Sequence, residues 1–232
     1  LKDLPKPVAG YFRHVLSDGQ AYVRTVRLKH DGQFRLYPNE KWMDIKGEQY
    51  FIAGYPGFLW VGKTSLFTAR DMYINDRGKL IVKLFSIFRI AKSEGKAVDQ
   101  AELLRWLGES VWFPTNLLPS ENLRWEAIDS SQAKLLLNYK EQELEYIVTF
   151  NNVNEIIRLE TERYYTTDKL RPWIGKLGNY QKKNGMLVPM EIEASWIFDE
   201  QEYTYADFRV TEIEYDVREG FIREMYLYLS TN

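Results

Sequence analysis

The sequence has no cysteine and only two histidines among its 232 residues. The missing cysteines exclude disulfides, cysteine-ligated zinc, iron–sulfur clusters and thiol catalysis. Two histidines leave little for a histidine-based catalytic triad or metal cluster. No stretch approaches 18 uncharged apolar residues, because the longest candidate, Leu80 to Ile90, is interrupted by Lys83 and Arg89. We therefore expect no transmembrane segment in this chain, no metal and no cofactor.

An excess of charge of either sign is also missing, since 31 Lys and Arg oppose 33 Asp and Glu. Without a basic run or a strongly positive balance, no nucleic-acid partner is predicted. The chain begins at Leu1 rather than Met, so we expect that a tag or an upstream segment has been removed. The absence of a signal peptide then carries no information, and an extracytoplasmic or membrane-associated location stays open. The oligomeric state is not indicated either.

Aromatic residues, in contrast, are abundant: 7 Trp, 16 Tyr and 12 Phe. Aromatic side chains bury large areas and are favoured on pleated sheets, so a β-rich core explains the enrichment. A wide apolar cavity with a stiff lining explains it as well. The composition alone does not separate these two interpretations.

Alternating strand-like runs and closely spaced turn signals dominate most of the chain. Hairpin turns are predicted at His30–Gln33, Asn75–Gly78 and Asn184-Gly185, and long strands over Lys79 to Ala91 and Phe221–Leu229. Such frequent turns without intervening helices are typical of consecutive antiparallel strands. We predict an α+β fold: a large, curved, mostly antiparallel sheet forming a half-barrel or open barrel, as a single domain over residues 1–232.

Two helices interrupt this pattern. The first opens the chain between Leu4 and Leu16, with prolines at its entry. The second is inserted over Val98 to Leu118, where Asp99 is predicted to cap the helix. Its apolar face should cover the sheet, and it consists of Leu103, Leu104, Leu107 and Val111.

The segment Gly57 to Thr64 satisfies the phosphate-loop pattern GxxxxGK[ST]. Four bulky residues inside it suit a strand better than a loop that must present backbone N–H groups to phosphate. The chain also lacks the alternating strands and helices of that fold. Carboxylates spaced by two, at Glu191/Glu193 and Glu212/Glu214, match a solvated sheet face better than a pair of glycosidase acids. No catalytic residue is assigned.

The polar face of the inserted helix is the strongest candidate site. Arg105 and Glu109 are four residues apart and share this face with Trp112. A surface ion pair is the simpler explanation. Alternatively, the polar face of the helix lines a ligand-binding groove. Arg105 or Arg163 would then bind the acidic head group of a ligand, and tryptophans would contact its apolar tail. The candidate ligand-binding residues are Arg105, Trp106, Glu109, Trp112, Trp125, Arg163 and Trp173.

Several of these residues belong to motifs that resemble an uncharacterised bacterial family, a domain of unknown function. The motifs are Leu4-Pro5-x-Pro7-Val8, Arg105-Trp106-Leu107-x-Glu109, Trp112-Phe113-Pro114, Leu123-x-Trp125, the strand of Arg163, and Trp173, Tyr180, Gly185, Pro189 and Trp196. Trp106 stands where the family pattern has Tyr, which keeps an aromatic ring there. The resemblance implies an architecture similar to LolA-like lipoprotein carriers, with an apolar concave face plugged by helices. It implies no established activity.

Three functions follow as hypotheses. The first is non-enzymatic binding of a lipid or another hydrophobic molecule on the concave face of the sheet. The second is a protein- or membrane-interaction module whose groove is filled by its own helix. The third is a carboxylate-based hydrolase, since acid–base chemistry without cysteine or a histidine set would fall to Asp and Glu.

Overall fold

The structure is a computed structural model that describes residues 1–84 and 88–217. Within these residues, one sheet of thirteen strands runs in the order β6-β5-β4-β3-β2-β1-β13-β12-β11-β10-β9-β8-β7. The strands are β1 Thr25–Phe34, β2 Met43–Ile52, β3 Gly57–Lys63, β4 Phe67–Ile74, β5 Arg77–Leu84, β6 Phe88–Glu94, β7 Leu123–Ala127, β8 Gln132–Tyr139, β9 Gln142–Phe150, β10 Ile156–Thr166, β11 Lys169–Lys183, β12 Met186–Phe198 and β13 Gln201–Tyr215. Helix α1 spans Lys6–Val15, and helix α2 spans Lys96–Glu109 between β6 and β7.

The predicted fold class is confirmed, because every strand pair in the sheet is antiparallel. The sheet is an open, curved half-barrel, and both helices pack on it: α1 against β8 and β12, and α2 mainly against β4, β5, β9 and β10. A sheet of this many strands curls, and its concave side must be filled. The single-domain organisation stays a prediction. So does the strand over Phe221–Leu229, which lies outside the described residues.

Two of the predicted hairpins are confirmed. At the β4–β5 turn, Ile74 pairs with Arg77, and Asn75 and Asp76 have φ values of 51° and 63°. At the β11–β12 turn, Lys183 pairs with Met186, and Asn184 and Gly185 also have positive φ. Two consecutive residues with positive φ match the right-handed twist of the flanking strands, which is why Asn, Asp and Gly occupy these turns.

The hairpin predicted at His30–Gln33 is wrong, because these residues continue strand β1. The glycine has another role: β1 shifts its register against β13 next to His30, and Gly32 adopts a φ of 150°. A Cβ atom at Gly32 would lie 2.1 Å from the backbone oxygen of Asp207. Glycine therefore marks a close approach of two strands here rather than a reversal of the chain.

The long strand predicted from Lys79 to Ala91 is also wrong. The chain reverses within it, and β5 pairs antiparallel with β6, so that Ile81 lies opposite Lys92. The apolar run of this segment hides the reversal, because no Gly, Asn or Pro marks it in the sequence.

Helix α2 covers the concave face with the residues that its spacing predicts. Leu103, Leu104, Leu107 and Val111 are all at most 1% exposed. The α-helix ends earlier than predicted, at Glu109, and two 3-10 turns continue it over Ser110–Trp112 and Pro114–Leu117.

Asp99 does not cap α2, because the cap position is Gly95 and Asp99 lies in the first turn. Its carboxylate instead accepts hydrogen bonds from the backbone N–H of Gly78 at 2.7 Å and from Arg77 at 3.1 Å. A Cβ atom at Gly78 would lie 2.5 Å from the carbonyl oxygen of Val98. Glycine therefore lets the helix backbone approach strand β5, and Asp99 ties the two together.

One end of the half-barrel is bridged by side chains around Asp76. The Asp76 carboxylate accepts hydrogen bonds from Tyr55, in the β2–β3 connection, at 3.1 Å and from Tyr139, at the end of β8, at 2.7 Å. Lys140 forms an ion pair with the same carboxylate. Partial burial alone would raise the pKa of Asp76, but these three donors hold it below its usual range. Hairpins near opposite edges of the sheet thus meet at one residue.

The outer face of the sheet is solvated, as the alternating carboxylates predict. Glu212 and Glu214 of β13 pair with Lys29 and Arg27 of β1, and Glu191 pairs with Arg209. The segment that matches the phosphate-loop pattern is strand β3, so its backbone forms ladders with β2 and β4.

Truncating the apolar face of α2 should destabilise the fold. Leu104→Ala should lower the free energy of unfolding by about 2–5 kcal/mol, because a fully buried leucine leaves a cavity behind. The matched control is Leu66→Ala, since Leu66 is 51% exposed and its loss should cost less than about 0.5 kcal/mol. Urea denaturation measures both, and equal costs would contradict the packing of α2 described here.

Candidate functional site

Arg105 projects from α2 into the half-barrel and is held by three partners. Its guanidinium donates to Asp71 of β4 at 2.5 Å, to Glu109 one helical turn later at 2.9 Å and to Gln49 of β2 at 3.4 Å. Gln49 in turn donates to Glu109 at 2.6 Å. The Arg105 and Glu109 side chains are 16% and 14% exposed, so the buried arrangement is present and the surface ion pair is not.

The electrostatics of this cluster follow from its burial. Desolvation disfavours a charged Arg105, but Glu109, Asp71 and Glu102 more than offset it and raise the pKa of the guanidinium. Desolvation also raises the pKa of Glu109, although Arg105 and Gln49 oppose that shift. A buried charge with complete hydrogen bonding contributes little net stability, yet removing one of its partners is costly.

A second pair lies one turn earlier on the same helix. Glu102 accepts a hydrogen bond from Arg163 of β10 at 3.5 Å, and the two side chains are 7% and 12% exposed. Glu102 is also within hydrogen-bond reach of Asp71. Burial, together with repulsion from Asp71, raises the pKa of Glu102 well above its usual range despite Arg163 and Arg105.

Arg163 faces a set of aromatic side chains on the concave side of the sheet, which we call the aromatic wall. The aromatic wall consists of Phe34, Phe67, Trp173, Trp196, Phe198 and Tyr205. The Arg163 guanidinium lies 5.9 Å from the ring centre of Trp173 and 6.0 Å from that of Trp196. These two tryptophans are cross-strand neighbours on β11 and β12.

Tyr205 links the parts of the aromatic wall. It accepts a hydrogen bond from the Trp173 indole at 3.0 Å, and its ring lies 6.1 Å from those of Trp196 and Phe34. Phe34 in turn contacts Phe67, with ring centres 6.5 Å apart. Below Trp173, Gly175 leaves room for the indole, because a Cβ atom there would lie 2.9 Å from the ring. The wall is therefore built from five strands, β1, β4, β11, β12 and β13.

The other three predicted tryptophans each donate to a backbone carbonyl. Trp106 donates to Ile52, Trp112 to Pro189 and Trp125 to Leu117, each at 2.9 Å. Trp125 packs with Phe12 of α1 and with Phe150, and its strand β7 is three strands away from β10, which carries Arg163. These contacts are those expected of buried tryptophans in a core.

The seven predicted residues therefore divide into separate groups. Arg105 and Glu109 form one cluster, and Arg163 and Trp173 form another. Trp106, Trp112 and Trp125 belong to the packing around them. Asp71, Gln49, Glu102, Trp196 and Tyr205 complete the two clusters and were not predicted as site residues. A usable signal exists for Asp71, which is the one charged side chain in the inward alternation of β4.

His30 adds a further buried polar contact near Arg105. Its Nε2 accepts a hydrogen bond from the Trp60 indole at 2.8 Å, and its ring stacks on Phe208 at 4.3 Å. Desolvation and the positive charge of Arg105 lower the pKa of His30 to about 4. His30 is therefore neutral in the folded protein near neutral pH. Among residues 1–84 and 88–217, no three His, Asp or Glu side chains are placed to share a metal ion.

Two surface cavities flank this interior. The larger, about 460 Å³, lies on the outer face over Leu59 and Ile81, between lysines such as Lys46 and Lys63, and touches none of the predicted residues. The smaller, about 310 Å³, lies between the helical insertion and the β7–β8 edge, where Trp106 forms part of its lining.

Comparison with known proteins assigns the chain to a family. Residues 2–215 match the family of unknown function DUF6920. The chain belongs to this family. No curated protein is similar to it in sequence. In the part of the chain that the structure describes, no helix is both long enough and apolar enough to span a membrane.

Solved structures with the same fold are distant in sequence. A DUF1329 family protein from Desulfovibrio piger superimposes with a TM-score of 0.52 at 10% identity, covering 94% of this chain and 96% of that one. A LolA superfamily protein from Nitrosomonas europaea gives a TM-score of 0.50 at 10% identity, with 94% and 96% coverage. The predicted membership of an uncharacterised family and the LolA-like architecture are thus confirmed.

Breaking the Arg105 cluster should cost more than breaking a surface pair. Arg105→Gln should lower the free energy of unfolding by about 3–5 kcal/mol, because Asp71 and Glu109 would remain buried without a cation. Arg124→Gln is the matched control, since Arg124 is 47% exposed and pairs with Glu126; its cost should stay below about 1 kcal/mol. Chemical denaturation at pH 7 measures both. An Arg105→Gln cost as small as the control's would refute the buried network.

His30 should make the fold sensitive to acid. Because its folded pKa of about 4 lies below the unfolded value of 6.5, the unfolded chain binds the proton first as pH falls. The wild type should therefore lose up to about 3 kcal/mol between pH 6.5 and 4 relative to His30→Gln. His14→Gln, at a side chain 34% exposed, is the control and should follow the wild type. Parallel pH profiles for wild type and His30→Gln would contradict this assignment.

Proposed function

We propose that this protein binds a lipid or another hydrophobic molecule on the concave face of its half-barrel, without acting on it chemically. The observation that carries the proposal is the aromatic wall. Phe34, Phe67, Phe198 and Tyr205 are only half-buried, although they lie on the face against which α2 packs. Large aromatic side chains that stay partly exposed on a concave surface are typical of ligand sites.

The part of the sheet that α2 covers supports binding at the aromatic wall. α2 packs mainly on β4, β5, β9 and β10, whereas most of the aromatic wall lies on β1, β11, β12 and β13. The helix thus fills part of the concave side, and the half-buried residues of the aromatic wall lie beside that part. The fold is similar to that of a LolA superfamily protein, and this similarity is compatible with a carrier role for the present protein. An extracytoplasmic or membrane-associated location belongs to the same proposal.

The clustered carboxylates are the observation closest to the hydrolase hypothesis. Asp71 and Glu109 both contact Arg105, and Glu102 lies between Asp71 and Arg163. A general acid or base must reach the proton that it transfers. These carboxyl groups are instead directed at buried guanidinium groups, so their arrangement fits charge neutralisation better than catalysis.

The hypothesis of an interaction module also has the protein's own helix filling the groove, but its binding partner is a macromolecule rather than a small hydrophobic molecule. It requires the aromatic wall to contact a macromolecule rather than enclose a small one. Native mass spectrometry of freshly purified protein separates the two, because a hydrophobic cargo would appear as a bound mass. Protein that is free of bound mass and that also fails to bind an added hydrophobic probe would overturn our proposal.

The probe is radiolabelled oleyl alcohol, a neutral molecule with a long hydrocarbon chain. Phe34→Ala should weaken its binding about tenfold, because the truncation removes one aromatic contact of the wall. The matched control is Tyr37→Ala, three residues away and 59% exposed, which should bind like the wild type. Equal affinities for wild type, Phe34→Ala and Tyr37→Ala would show that the alcohol binds elsewhere.

A further inference from the structure

Arg105 and Arg163, the two arginines that pair with carboxylates of α2, are not equally neutralised. Arg105 has three partners, two of which are carboxylates at 2.5 Å and 2.9 Å. Arg163 has a single acceptor, Glu102, at 3.5 Å, and within the described residues its Nε has no hydrogen-bond partner. The Arg163 side chain is nevertheless only 12% exposed. A buried guanidinium normally makes several charge-assisted hydrogen bonds, so this one has unused capacity.

Glu102 contacts Arg163 through one oxygen only, at 3.5 Å, and its second carboxyl oxygen has no hydrogen-bond partner within the described residues. Burial and the neighbouring Asp71 raise the pKa of Glu102. The carboxylates of Asp71 and Glu109 already contact Arg105. Arg163 therefore retains positive charge in a water-poor environment, where an added anion would be attracted more strongly than at the surface.

The surroundings of Arg163 allow such an anion to carry an apolar chain. Trp173 and Trp196 lie beside the guanidinium, and the aromatic wall continues from them to Tyr205 and Phe34. Two residues further along β10, Tyr165 is 41% exposed and contacts Trp196 with ring centres 5.2 Å apart. The charge therefore lies at the edge of an aromatic surface that is partly exposed.

We propose that the ligand is an anionic amphiphile whose carboxylate or phosphate binds Arg163 while its hydrocarbon chain lies on the aromatic wall. This inference rests on the proposed function and specifies its ligand class. Arg163 is the group that recognises the acid, and Arg105 is structural. A planar guanidinium with free N–H groups matches the two oxygens of a carboxylate or phosphate.

The experiment compares three probes with one hydrocarbon chain and different head groups: oleate, oleoyl lysophosphatidate and oleyl alcohol. The wild type should bind one or both acids about 10- to 100-fold more tightly than the alcohol at low salt. The acid that binds more tightly identifies the head group as carboxylate or phosphate. Arg163→Gln should remove the preference and leave the affinity for oleyl alcohol unchanged within about threefold.

Two further variants separate recognition from folding and from general charge effects. Arg158→Gln removes a positive charge from the opposite face of the same strand and should keep the full preference for acids. Glu102→Gln replaces the competing carboxyl group by a neutral amide of the same shape, so it should bind the acids as tightly as the wild type or more tightly. This prediction does not require Arg163 variants to fold.

The outcomes are distinct. Equal binding of acids and alcohol by the wild type overturns the assignment of Arg163 and leaves hydrophobic binding intact. Binding of none of the three probes overturns both proposals. The assignment of Arg163 is also overturned if Arg158→Gln loses as much of the preference for acids as Arg163→Gln does. The same holds if Glu102→Gln loses the preference for acids.

Discussion

The placement of helix α2 inside the curved sheet is the constraint on which the rest of the structure depends. A sheet of thirteen strands that curls has a concave side too large for its own side chains to fill. The leucines of α2 fill the part nearest β4, β5, β9 and β10, and Asp99 with Gly78 fixes the start of the helix against β5. Because the helix is enclosed, its polar face is enclosed as well.

That enclosure explains why charged residues lie in the interior. Arg105 and Glu102 project from α2 at mostly buried positions, so strands on both sides supply their partners. Asp71 and Gln49 come from one side and Arg163 from the other. These contacts form at one position and rotation of the helix only. Leucine packing alone would tolerate small shifts, and we infer that the polar contacts remove this freedom.

Sequence reasoning succeeded where the signal is local. The spacing of Leu103, Leu104 and Leu107 predicts the buried face, and the Asn-Asp and Asn-Gly pairs predict their hairpins, because a few adjacent residues decide each feature. It failed at Gly32, where glycine admits a neighbouring strand, and in the β5–β6 reversal, which no turn residue marks. For the candidate site, the spacing of four residues between Arg105 and Glu109 predicted that the two side chains form a pair. Its partner Asp71 lies 34 residues away on a strand, and the choice of partner depends on register and curvature, which the sequence does not display.

The contacts around Asp76 give the half-barrel an unusual kind of closure. A closed barrel is sealed by a continuous backbone ladder, and separating its edges requires many hydrogen bonds to break together. Here hairpins near opposite edges are joined through one carboxylate that is 23% exposed. Water can replace Tyr55, Tyr139 and Lys140 one at a time at such a group. The distance between these hairpins therefore depends on polar contacts for which water competes, and not on a backbone ladder.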